Sequence, residues 1–137
     1  MGQALRRFSG QDSTTWTFPD AIAEIDRLGN TLKRGWDGHG ASEIGFTART
    51  NAVDFVRRVW KDYGTVVQAP AVAPVSDGGI ALEWIVRTPQ GARELELVFL
   101  DRGNEYSVRY QGKSAFEHEG EDESVPFLLS LVGRYGK

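Results

Sequence analysis

The run "IALEWIVRTPQGARELELVFLDRGNEYSVRYQ", residues 80–111, decides the fold. Its apolar period is two. Ile80, Leu82, Trp84 and Val86 alternate with Ala81, Glu83, Ile85 and Arg87. Leu95, Leu97 and Phe99 share a face in the next run, and Tyr106, Val108 and Tyr110 oppose Ser107 and Arg109 in the one after. Alternation puts successive side chains on opposite faces of a strand, so each run is half-buried. The separators "SDGG", "TPQG" and "DRGN" are short and rich in turn residues. Alternating runs joined by such turns describe an antiparallel meander.

Upstream of this run, "TVVQAPAVAPV" carries Pro70 and Pro74, so any strand there is short or at an edge. Further upstream the period becomes helical. In "TFPDAIAEIDRLGNTLK", Phe18, Ile22, Ile25, Leu28 and Leu32 mark one stripe; Thr17 is the expected cap and Asp20 completes a capping box. Gly29-Asn30 is expected to bend or end this helix. "TARTNAVDFVRRVWKDYG" is a second helix, with Thr47 expected as its cap and Trp60 on its apolar side. Downstream, "SVPFLLSLVGRYG" reads as a third helix capped by Ser124, with Phe127, Leu128, Leu131 and Val132 facing inward. Residues 113–119 are open between a fifth strand and a loop. The expected class is α+β: an antiparallel sheet of about four strands, with two N-terminal helices and one C-terminal helix packed on one face. Residues 1–16 are polar and aperiodic and read as a flexible arm. Residues 17–137 read as a single domain.

Composition narrows the chemistry. The 137-residue chain carries a net charge of −3, which offers no basic patch for nucleic acid. It has no cysteine, so disulfides, thiol nucleophiles and cysteine-ligated zinc are excluded. That composition suits a cytoplasmic protein. No apolar segment follows Arg6 and Arg7 to make a signal peptide, and none approaches the length of a membrane span. His39 and His118 are the two histidines, far apart in sequence, and neither lies in a ligand-spaced pair. No metal site and no cofactor is expected. Neither a G-x-S-x-G elbow nor a phosphate-cradling glycine loop is present; "GGIALEW" runs into a strand.

The segment that looks most like a site is "KRGWDGHGASEIGF", residues 33–46. One reading makes Asp37 and His39 an acid–base pair with Glu43 or Glu83 assisting, the outline of a small hydrolase-like enzyme. The other makes the loop a rigid plug between two helices. There Gly35, Gly38 and Gly40 allow a sharp turn, Asp37 bonds the loop backbone, and Trp36 drops into the core. The structural reading is the expected one. Outside the loop, the candidates for partner contact are Trp16 in the arm and the acids Glu117, Glu119, Glu121, Asp122 and Glu123. Glu83, Arg87, Glu94, Glu96, Arg109 and Gln111 would line a polar sheet face.

"GWDGHGAS" (35–42), "SDGGIALEW" (76–84) and "EYSVRY" (105–110) together resemble a small family of bacterial and prophage-borne proteins. Its members carry a W-D-G-x-G-A loop and a D-G-x-I-x-L-E-W strand. The likeness covers roughly residues 20–112, and His39 stands where the family more often has an aromatic. The resemblance implies a bacterial, mobile-element setting and transfers no catalytic residue. With the missing catalytic signatures, it makes the expected function non-catalytic: a protein-binding module, such as an inhibitor, antitoxin-like or accessory factor. Its partner would be another protein, for instance a nucleic-acid-handling enzyme with a basic surface.

Overall fold

The computed structural model describes residues 16–89, 91–110, 118–121 and 123–137. Among the described residues, three helices and a five-stranded antiparallel sheet form an α+β fold. Helix α1 spans Phe18–Thr31 and α2 spans Phe46–Tyr63. The strands follow as β1 (Ala71–Val75), β2 (Gly79–Thr88), β3 (Gly91–Leu100), β4 (Gly103–Tyr110) and β5 (His118–Glu121); α3 (Val125–Tyr135) ends the fold. The strands pair in chain order, β1 to β5, as a simple meander. Pro74 lies in the edge strand β1, where a missing N–H costs least.

Register sorts the residues onto two faces. Val72, Leu82, Leu97 and Tyr106 stand in one row. Trp84, Leu95 and Val108 stand in the next. With Ile80 and Phe99 they meet Ile25 and Leu28 of α1, Phe55 and Val59 of α2, and Leu128 and Val132 of α3 in one core. Phe55 and Phe99 are in ring contact at 5.2 Å. Trp84 is fully buried, and its indole N–H donates to the Gln68 carbonyl at 2.8 Å. All three helices therefore cover the same face.

The far face departs from a simple polar surface. Val75, Ala81, Val98 and Leu100 form a small second cluster there, and Glu83 is only 7% exposed. Glu94 and Arg109, expected on that face, form a salt bridge at 3.0 Å that is largely shielded from water. Gln111 lies outside the described residues.

Local signals explain most element ends. Thr17 and Asp20 form the expected capping box, both bonds being 3.1 Å. Helix α1 runs through Gly29-Asn30 rather than stopping, because the glycine makes room for a side chain from α2. A Cβ at Gly29 would meet Arg49 Cδ at 2.6 Å, and Arg49 reaches across to Asn30 at 2.9 Å and Asp26 at 3.3 Å. Ser124 caps α3 through the Phe127 N–H.

Thr47 does not cap α2. The cap position is Gly45, and the Ala48 N–H is taken instead by Asp101 Oδ1 at 2.8 Å. Trp60 is not core either. It is 47% exposed and stacks on Phe18 at 5.8 Å, because α2 turns its Ala52–Phe55–Val59 side to the sheet. Phe127 is 37% exposed and rests edge-on against Tyr106 rather than facing the centre.

Candidate functional site

The 33–45 loop is built from its own backbone. Gly35, Gly38 and Gly40 have φ values of 79°, 77° and 82°, a region other residues adopt at a cost. Asp37 Oδ1 accepts from the His39 N–H at 2.8 Å and the Ala41 N–H at 3.1 Å. The Gly35 N–H donates to the Ala41 carbonyl at 2.7 Å and closes the loop. The His39 N–H holds the Asp37 carboxyl below its ordinary value; partial desolvation opposes this and the Ala41 N–H adds to it. A carboxylate held ionised by two backbone donors is a poor proton acceptor.

Trp36 does not drop into the core. It is half-buried and folds over its own loop, its indole N–H donating to the Ser42 carbonyl at 2.9 Å. The buried loop residue is Ala41.

The loop docks on the strand turns at one end of the sheet. The Ser42 N–H donates to the Ser76 carbonyl at 2.9 Å and the Gly45 N–H to the Gly78 carbonyl at 2.8 Å. Thus "GWDGHGAS" and "SDGGIALEW", distant in sequence, meet in space. The approach is tight. A Cβ at Gly78, where φ is 92°, would meet the Glu43 carbonyl oxygen at 2.7 Å. One at Gly45 would meet the Asp101 carboxylate at 2.2 Å. Asp101 joins the junction from the β3–β4 turn, and Arg102 beside it lies 3.7 Å from Asp77.

The hydrolase-like constellation is not assembled in this way. His39 is exposed, and it meets Asp37 through its backbone rather than its ring. Glu43 is exposed, its carbonyl against Gly78. Glu83 lies four residues up β2 from Gly79, about 13 Å of strand away from the docked turn. Among the described residues, no group of three or more His, Asp or Glu side chains could hold a metal ion.

The acids are gathered elsewhere. Glu83 on β2 faces Glu96 on β3, Glu96 faces Ser107 on β4, and Ser107 faces Glu119 on β5. One row along, Glu105 faces Glu121. Glu83, Glu96, Glu105, Glu119 and Glu121 thus share the face opposite the helices. Glu119 and Glu121 are exposed on the outermost strand. Glu123 is half-buried after β5, its carbonyl 3.5 Å from the Asn104 amide. Glu117 and Asp122 lie outside the described residues, as does the arm up to residue 15. Trp16 packs half-buried against the core, its indole nitrogen enclosed.

Two residues of this geometry were not singled out by pattern. Glu105 was legible, being in phase with Ser107 and Arg109. Asp101 was not, because a cap supplied from 53 residues away leaves no local spacing. No family model, curated protein or solved structure matches the chain. No described helix is long and apolar enough to cross a membrane.

Proposed function

We propose that this protein is a non-catalytic protein-binding module, an inhibitor, antitoxin-like or accessory factor. It would engage a basic partner through the acidic sheet surface that ends on β5. The supporting observation is the exposure of Glu119 and Glu121 on the outermost strand, in register with Glu105 and with the Glu96 row. Carboxylates at an exposed rim speed encounter with a basic surface more than they deepen affinity. A nucleic-acid-handling enzyme has such a surface, and it is the partner class this reading favours. The bacterial, prophage and cytoplasmic setting rests on the motif resemblance and the cysteine-free composition.

The small-enzyme alternative has less support, since the Asp37 carboxylate is engaged by the loop backbone. Trp16 packs half-buried against the core, so this reading rests on Glu119 and Glu121 rather than on Trp16. The test is affinity capture from the native host with wild type, Glu119→Gln/Glu121→Gln and Trp16→Ala. A specific basic protein should be enriched by wild type and by a folded Trp16 variant, and lost from the glutamine variant. Equal capture by all three would defeat the reading.

A further inference from the structure

The two edges of the sheet differ. β1 carries Pro74, which has no N–H to donate, and four of its five residues are buried. β5 contains no proline, and among the described residues it pairs with β4 alone. His118, Glu119 and Glu121 are exposed along it. Alternate residues of an edge strand turn their N–H and C=O groups outward, a template on which another extended chain can pair.

The two sides of the β5 edge are chemically unlike. Glu119 and Glu121 stand on the face that the helices leave, in register with Ser107 and Glu105. His118 and Gly120 stand on the helix side, opposite Val108 and Tyr106. Because Gly120 has no side chain, the Tyr106 ring lies against the strand: a Cβ there would meet Tyr106 Cε1 at 2.6 Å. Phe127 stands edge-on to that ring at 5.3 Å. Phe127 and Val125, both in the first turn of α3, are exposed. The Glu123 carboxylate reaches the same glycine, 2.9 Å from that Cβ position. One side of the edge is thus anionic, and the other offers exposed apolar surface with one further acid.

We propose that β5 accepts an extended segment of the basic partner as a sixth strand. Lys or Arg at alternate positions of that segment would face Glu119 and Glu121, and apolar residues between them would face Tyr106 and Phe127. This mode of docking rests on the reading above, that the acidic surface ending on β5 receives a basic protein, and adds how the partner is held. Side chains of an added strand alternate between the two faces, so a basic–apolar alternation matches an edge that is anionic on one face and apolar on the other. Strand addition draws affinity from main-chain bonds and specificity from alternate side chains. Cross-strand pairs of opposite charge are favourable, and like charges directly opposite are not. A second copy paired through its own β5 in the symmetric register would set glutamate against glutamate. A folded basic surface would meet Glu119 and Glu121 but leave the strand edge and the Phe127 side unused.

The probe is a blocked synthetic peptide of alternating lysine and valine, KVKVK, added to the full-length chain at low salt. Its controls are the same peptide with every backbone amide N-methylated and the block peptide KKKVV. Amide hydrogen exchange is read by NMR. The alternating peptide should slow exchange at the outward amides of His118–Glu121 by about five-fold or more and leave β1–β2 amides unchanged. Neither control should do so. Glu119→Gln/Glu121→Gln should weaken the alternating peptide several-fold, and Phe127→Ala should weaken it without changing the block peptide. No slowing at millimolar KVKVK, or equal slowing by KKKVV, overturns strand addition. If that occurs while the glutamine variant still loses the captured protein, the acidic-surface reading stands and strand addition alone falls. Equal capture by wild type and the glutamine variant removes that reading, and strand addition with it. Protection of β5 without peptide in a concentrated sample that sediments as a dimer would assign the edge to a second copy and also overturn the proposal.

Discussion

Asp101 does for α2 what a capping residue normally does from the adjacent position, and it does so from the β3–β4 turn, 53 residues along the chain. Its loss leaves a helix N–H without its acceptor, at a cost of about 1–2 kcal/mol. Asp101→Ala should lower unfolding free energy by that amount in urea titration, while Thr47→Ala should change it little. The opposite order would restore Thr47 as the cap. Asp37 carries the pH consequence. Its folded-state pKa lies below its unfolded value, so its contribution is fully present above the unfolded value of about 3.9 and is lost as pH falls through the folded one. Carbon-detected titration of Asp37 should place its midpoint below 3.9, and Asp37→Asn should flatten the acid limb of the stability curve. A midpoint at or above the unfolded value would contradict the two backbone bonds. At this scale the sequence was informative wherever partners are local: Thr17 with Asp20, Ser124 with Phe127, Asp37 with its own loop. It was silent where a turn meets a loop across the fold, and it overstated Trp36 and Trp60, whose apolar surface is only partly covered.

Among the elements, β2, β3 and β4 were legible because each carries a run of alternating apolar side chains facing the helices: Ile80 to Val86, Leu95 to Phe99, and Tyr106 to Tyr110. β5 was not. Its residues are His118, Glu119, Gly120 and Glu121, with no apolar residue to mark a face, and backbone pairing to β4 carries it. Gly120 explains how so polar a strand stays in place. It faces the helix side opposite Tyr106, and a Cβ there would meet Tyr106 Cε1 at 2.6 Å and Glu123 Oε1 at 2.9 Å. Tyr106 in turn carries the Phe127 ring at 5.3 Å, so β5, β4 and α3 are locked through one tyrosine. Gly120→Val should displace that ring and cost about 1–3 kcal/mol by overpacking. Amide exchange should quicken at His118–Glu121 and at their β4 partners, while β1–β2 amides hold. Uniform exchange across the sheet would show that β5 is not a separate weak edge.

For the whole molecule, a net charge of −3 understates the asymmetry. Carboxylates from four strands share the face that the helices leave, and two of them stand exposed at its outer edge. The sequence showed the 117–123 acids as one run and the 83–105 acids as scattered alternation. Only strand register reveals that they belong to one surface, because pairing partners are fixed by turn lengths rather than by composition. The claim that this surface receives a basic partner is tested most directly by the association rate with the captured partner, measured as ionic strength rises. The account predicts a fast rate that falls steeply with salt, and about a ten-fold slower rate for Glu119→Gln/Glu121→Gln at low salt with dissociation little changed. A rate indifferent to salt, or equal for wild type and the glutamine variant, would contradict it.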